Sequence, residues 1–200
     1  MGVDLLSFIV FAGAMVATPG PANMVLLAAG ARFGLRPALP FVLGVALGKQ
    51  AVIWPVGFGL LTVVATVPWL FTALKFASAG YILYLAWRIA GARIAPGQAG
   101  DVPPSLAAGL AVHPLNPKAW ALIATGFTNF VSAGTPPLTA TAIIAACLLA
   151  IQLLLHPLWC WGGARLSTLI SGGRGERALM LTLAALTVAS VLLVLAKGDI

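Results

Sequence analysis

Apolar residues in this chain come in long runs separated by short polar joints. A helix needs about 20 mostly apolar residues to cross a bilayer. Runs of that length fall at roughly 4–30, 38–64, 68–90, 106–131, 137–161 and 177–196. The pattern predicts an all-α membrane protein with six transmembrane helices. The first and fourth runs are broken by proline clusters. The longest polar connector, GARIAPGQAGDVPPS at 91–105, is rich in Gly and Pro and lies near the middle of the chain. It separates a first half, 1–93, from a second, 105–200, through a flexible linker, 94–104. Each half holds three spans and opens on a broken helix. An odd number of spans turns the second half over, so the expected architecture is two inverted three-helix repeats.

Composition supports the membrane reading. Of 200 residues, 61% are hydrophobic and 8% are charged, against about 25% charged in soluble domains. Mean hydropathy is +1.06. Too little charge is present to dress a soluble enzyme or sustain a disordered chain. The net charge of +7 comes from 11 Lys and Arg against 4 Asp and Glu. They form no dense basic stripe, so a nucleic-acid partner is not indicated. Their placement matters more. Arg32 and Arg36, then Arg88 and Arg93, then Arg165, Arg174 and Arg177 fall in alternate joints, while the opposite face has only Lys197. Basic residues collect on the cytoplasmic side. Loops one, three and five, including the linker, are therefore expected in the cytoplasm and both termini in the periplasm. No basic start precedes the first apolar run, so no cleaved signal is expected.

The two breaks carry the candidate chemistry. The first reads Thr18-Pro19-Gly20-Pro21-Ala22-Asn23. Pro19 and Pro21 lack the N–H that a helix interior requires. The helix should stop near Ala17 and restart at Pro21, a favourable first position. The second reads His113-Pro114-Leu115-Asn116-Pro117-Lys118, with a stop near Val112 and a restart at Pro117. A broken helix in hydrocarbon leaves backbone groups that cost several kcal/mol each unless satisfied, so such breaks line cavities. The restarted helices point their N-termini at the midplane, each with partial positive charge and free N–H donors. Lys118 adds a full charge in a first turn, and an intramembrane charge marks a functional site by default. That combination suits a carboxylate. The freed carbonyls, with Asn23 and Asn116, suit an ammonium group. Both asparagines also fit the plainer role of helix cap. The expected substrate contacts are Pro19, Gly20, Pro21, Asn23, Asn116, Pro117 and Lys118.

These stretches resemble the lysine-exporter (LysE/RhtB) family of bacterial amino-acid exporters. The first motif resembles Pro19-Gly20-Pro21-Ala22-Asn23, followed by Gly30, Gly34, Gly44 and Gly48. The third run, Leu74–Ala90, is similar to the family's third helix at Lys75, Gly80, Tyr81, Leu85 and Trp87. The second motif resembles Asn116-Pro117-Lys118-Ala119. The resemblance implies a multi-pass carrier of the bacterial inner membrane that exports amino acids or close derivatives using the proton gradient. Its wording lies nearest the cysteine and O-acetylserine exporter branch. The implied partners are a small amino-acid substrate, a proton and the lipid bilayer, and a homo-oligomer is left open. Many members carry an acid after the glycine matching Gly48, where this chain has Lys49-Gln50.

That departure bears on coupling. Apart from Asp4 near an end, no carboxylate lies within the apolar runs. Proton exchange would fall to His113, whose imidazole ordinarily titrates near neutral pH, or to Lys49. His156, before Pro157, reads as structural. Gln50, Asn129 and Gln152 are expected to hydrogen-bond between helices, and the Gly44–Gly48 spacing to permit close packing. No catalytic triad, metal cluster or cofactor motif is present, so no enzyme activity, metal or cofactor is expected. Two rival readings remain. A thiol-redox carrier would use Cys147 and Cys160, but these lie about 20 Å apart along one helix. A divalent-cation exporter would want carboxylate oxygens that the membrane region lacks.

Overall fold

In a computed structural model, residues 2–60, 102–170 and 173–196 are described, with seven further helical positions between 73 and 87. Most of the third expected span, most of the linker and the C-terminal residues 197–200 lie outside the described residues. So do Lys75, Tyr81, Leu85, Arg88, Arg93 and Lys197. Among the described residues the chain is helical: α1 (Leu5–Ala17), α2 (Pro21–Phe33), α3 (Leu35–Gly57), α4 (Leu106–Leu110), α5 (Pro117–Phe130), α6 (Pro137–Leu169) and α7 (Gly173–Ala196). Helices α3 and α6 are each long and apolar enough to cross a bilayer. The α1–α2 pair, bent by 53° at its break, passes as a third candidate span.

Local chemistry sets most boundaries. Asp4 caps α1 by accepting from the Ser7 N–H. Pro21 opens α2 and Pro117 opens α5, where no N–H is needed. Helix α4 is short, capped by Ser105, and gives way to turns over 111–115.

Two expected loops are corrected. The loop over 30–37 shrinks to Gly34 alone, because φ of +78° there is open to glycine and lets α2 turn directly into α3. The fifth span continues to Leu169 instead of ending near 161. At Gly163 the longer helix packs tightly: a Cβ there would strike the Leu27 carbonyl and the Ala31 backbone. Arg165 therefore lies on a helix, over the Trp161 ring at 5.4 Å.

Close approaches set the directions of the helices. Gly30 faces the Cys160 backbone and Gly163 faces Leu27, so α2 and α6 cross with their backbones in close contact. Gly44 and Gly48 face Leu106 and Leu110, so α3 and α4 run parallel. Between residues 2–4 and 130–132, the Asp4 N–H donates to the Phe130 carbonyl at 2.8 Å and Ser132 N–H to Gly2 at 2.9 Å. Helix α1 thus begins where α5 ends. The first broken span runs opposite to the second, and α3 runs opposite to α6, where Gln50 donates to the Ala145 carbonyl at 3.1 Å.

The core comes in two apolar blocks. One gathers Leu26, Phe41, Val45, Val112, Cys160 and Met180. The other gathers Phe8, Val52, Ile53, Ile123, Ile144 and Leu148. On α3, Lys49 lies between Val45 and Val52. On α6, Gln152 and His156 lie between Leu148 and Cys160. Both breaks fall at the same level, so a polar layer separates the two blocks. On the outer side, Leu39, Leu43 and Leu47 form an exposed stripe on α3, and Leu153, Leu154 and Leu158 another on α6. Such stripes suit lipid contact.

Candidate functional site

The first break is closed by donors from elsewhere in the chain. Asn23, in the first turn of α2, reaches back across it. Its Nδ2 donates to the Val16 carbonyl at 2.7 Å and the Thr18 carbonyl at 2.9 Å. Lys118 arrives from the second break, 100 residues away. Its Nζ donates to the Thr18 carbonyl at 3.1 Å, Thr18 Oγ1 at 2.8 Å and the Pro19 carbonyl at 3.3 Å. All three ammonium donors are engaged, at the negative end of the α1 dipole. A Cβ on Gly20 would lie 3.1 Å from Lys118 Cδ and 3.2 Å from Nζ. Glycine there leaves room for the lysine.

The second break is satisfied locally. Asn116 caps α5, its Oδ1 accepting from the Lys118 N–H at 3.1 Å. Trp120 Nε1 donates to the Pro114 carbonyl at 2.9 Å. This tryptophan thereby takes up a carbonyl that the break frees. His113 turns inward to the polar layer. Its Nε2 lies 3.1 Å from Gln152 Nε2, and its ring stacks on His156 at 5.7 Å between centroids.

The breaks and the polar layer enclose a small cavity of about 30 Å³, room for one or two waters. Of the expected site residues, Gly20, Asn23, Lys49, His113, Asn116 and Lys118 line it, and His156 joins them. Pro19, Pro21 and Pro117 are absent from its wall and act through the backbone they interrupt. One side holds the Lys118–Thr18 bridge, where Thr18 and Pro19 are exposed. On the other side Lys49 is 3% exposed, His113 3% and His156 1%. Lys49 makes no hydrogen bond among the described residues. It interacts electrostatically with Lys118, His113 and His156. His113 Nδ1, His156 Nδ1 and Gln152 Oε1 are buried without a hydrogen-bond partner. An unsatisfied buried polar group costs about 1–3 kcal/mol, so these three atoms are the costliest polar groups of the layer.

Sequence reasoning set His156 aside as structural and expected Gln152 to hydrogen-bond between helices, as it does with His113. The signal was present. Gln152 and His156 are four residues apart, on one face of a long apolar helix. Asn129, expected between helices, is exposed near the end of α5. Cys147 and Cys160 are both free and both on α6. The two histidines face two lysines, a setting that repels a divalent cation.

A family model described as LysE type translocator matches residues 13–197, nearly the whole chain. Comparison with curated protein sequences and with solved structures finds no match.

Proposed function

Since the chain belongs to the LysE type translocator family, we propose that it exports amino acids or close derivatives across the bacterial inner membrane. In this reading residues 1–93 and 105–200 are inverted three-helix repeats joined by a cytoplasmic linker, and both termini are periplasmic.

The observation that carries the reading is the Lys118 bridge between the breaks. The cavity has room for one or two waters but is too small for an amino acid. Cargo therefore enters only when the breaks part and Lys118 leaves Thr18 and Pro19. An amino acid repairs both losses. Its carboxylate accepts from the freed Lys118 ammonium, and its own ammonium donates to the vacated carbonyls. Every polar group exchanges one partner for another, which keeps the cost of opening low in a medium that punishes unpaired groups. Asn23 and Asn116 hold the ends of the broken helices in place through the exchange. Coupling to the proton gradient falls to His113, with Lys49 second, because no acidic side chain is available between residues 5 and 100 or 102 and 175.

Cells expressing the protein and fed a panel of dipeptides should release particular amino acids faster than cells carrying the empty vector. Equal release across the panel would end the reading. In liposomes, an imposed pH gradient should drive flux in the wild type and not in His113→Asn. A periplasmic phosphatase fused to the C-terminus should be active, and a cytoplasmic fluorophore there should stay dark.

A further inference from the structure

Lys118 and Lys49 share one cavity in different states of satisfaction. Lys118 has an oxygen for each ammonium proton. Lys49, more deeply buried, has none among the described residues. It projects from the face of α3 opposite Leu39, Leu43 and Leu47 and lines the cavity. Among the described residues the chain offers it no counter-ion. Its acids are Asp4, Asp101, Glu176 and Asp199. Asp4 caps the far end of α1, about 20 Å below the first break by helical rise. Asp101 belongs to the connector, Glu176 lies in the first turn of α7 and Asp199 lies beyond its end.

The polar layer around Lys49 offers no anionic acceptor among the described residues; its one unpaired side-chain oxygen is the neutral amide Gln152 Oε1. With Gln152 Nε2 donating to His113 Nε2, the His113 proton sits on Nδ1, which has no acceptor. His156 Nδ1 is likewise unpartnered. Carbonyls freed by the breaks are already covered, by Asn23, Lys118 and Trp120. Two ammonium groups and two imidazoles therefore face one small volume without a carboxylate. A buried ammonium either finds a counter-charge or gives up its proton, and an anionic group on the cargo would supply that counter-charge.

We infer that this transporter takes amino acids that carry a second anionic group, with that group docked on Lys49. The inference rests on the amino-acid reading above and narrows it. The α-carboxylate and ammonium exchange with the Lys118 bridge, and a side-chain carboxylate or similar anion reaches across the cavity to Lys49. Lysine or arginine would bring a further cation into a space that already holds two, and is excluded. Selectivity here comes from repulsion of the wrong charge as much as from attraction of the right one.

Glutamate and glutamine, nearly equal in size, separate charge from shape. Purified protein should be stabilised against heat by glutamate at a concentration about tenfold or more below that needed of glutamine, since like-charge placement and an unpaired charge are both costly. Lysine should not stabilise it. Lys49→Gln should remove the glutamate advantage while keeping binding of glutamine. Lys49→Glu should reverse the order and admit lysine. Gluconate in place of chloride should leave the wild-type preference unchanged. Equal stabilisation by glutamate and glutamine in the wild type would overturn the inference and leave the amino-acid reading standing. So would glutamine binding that depends on chloride, since the anion on Lys49 would then be inorganic. Stabilisation by glutarate as strong as by glutamate would keep the anion site and remove the amino-acid reading. No stabilisation by any of these compounds would overturn both.

Discussion

The two breaks look alike in sequence and are satisfied by different means. At the second, the partners are near in the chain: Asn116 caps its own helix and Trp120 reaches Pro114 six residues back. At the first, the Thr18 and Pro19 carbonyls depend on Lys118, which belongs to the other break. The second break can therefore hold its shape while the first opens and closes. In the proposed transport cycle the pair would act as a rigid arm and a latch, with Lys118 the movable contact. Depth differs in the same sense. Thr18 and Pro19 are exposed, whereas His113 is buried against Gln152 and His156.

Removing the latch should have the largest effect. Lys118→Ala deletes three hydrogen bonds from a charged donor, each worth about 1.5–3 kcal/mol before allowance for solvent at the exposed side. Export should vanish, and thermal unfolding in detergent should begin earlier. Lys118→Arg should rescue little, because a planar fork does not replace a compact ammonium with three rotatable donors. Full export from correctly inserted Lys118→Ala protein would break the distinction between arm and latch.

Asn23→Asp should come next. It turns a buried donor facing the Val16 and Thr18 carbonyls into an acceptor. Loss of two bonds and the repulsion that replaces them should cost about 2–4 kcal/mol. Asn23→Ala should cost less than Asn23→Asp, and the order of the two unfolding midpoints checks the geometry.

Gly20→Ala should act on transport more than on stability. The added methyl would press on Lys118 Cδ and Nζ, the far end of a flexible side chain. The lysine can yield, so folding should survive while the latch is displaced. A drop in transport rate with an unfolding midpoint close to wild type is expected.

Trp120→Phe should have the smallest effect. It removes one neutral hydrogen bond to the Pro114 carbonyl, about 1 kcal/mol. Export should continue. A loss as severe as that of Lys118→Ala would show that the second break moves too, and the contrast between the breaks would fail.

How much of this was legible beforehand follows from where each cause resides. The ends at Ala17 and Pro21, and the restart at Pro117, follow from prolines that lack an N–H, a property of the residue itself. Lys49, His113 and Lys118 stood out because a charged or titratable group in an apolar run is costly wherever the run packs. The sequence reading ended the fifth span near 161; a Gly-Gly pair can stop a helix or let it touch a neighbour, and only the backbone of Leu27 and Ala31 against Gly163 decides between the two.

The partnerships lay beyond the sequence. Asn23 could cap its own helix or the preceding one, and composition is the same in both cases. That Lys118 spans 100 residues to Thr18, that His156 stacks on His113, and that Lys49 is left without an oxygen are consequences of which helix faces meet. Sequence by itself determined where the chain must break, and that no acid is available at the break to balance the cations. Tertiary structure alone decided which cation is satisfied and which is not, because pairing depends on distances between helices that no local propensity specifies.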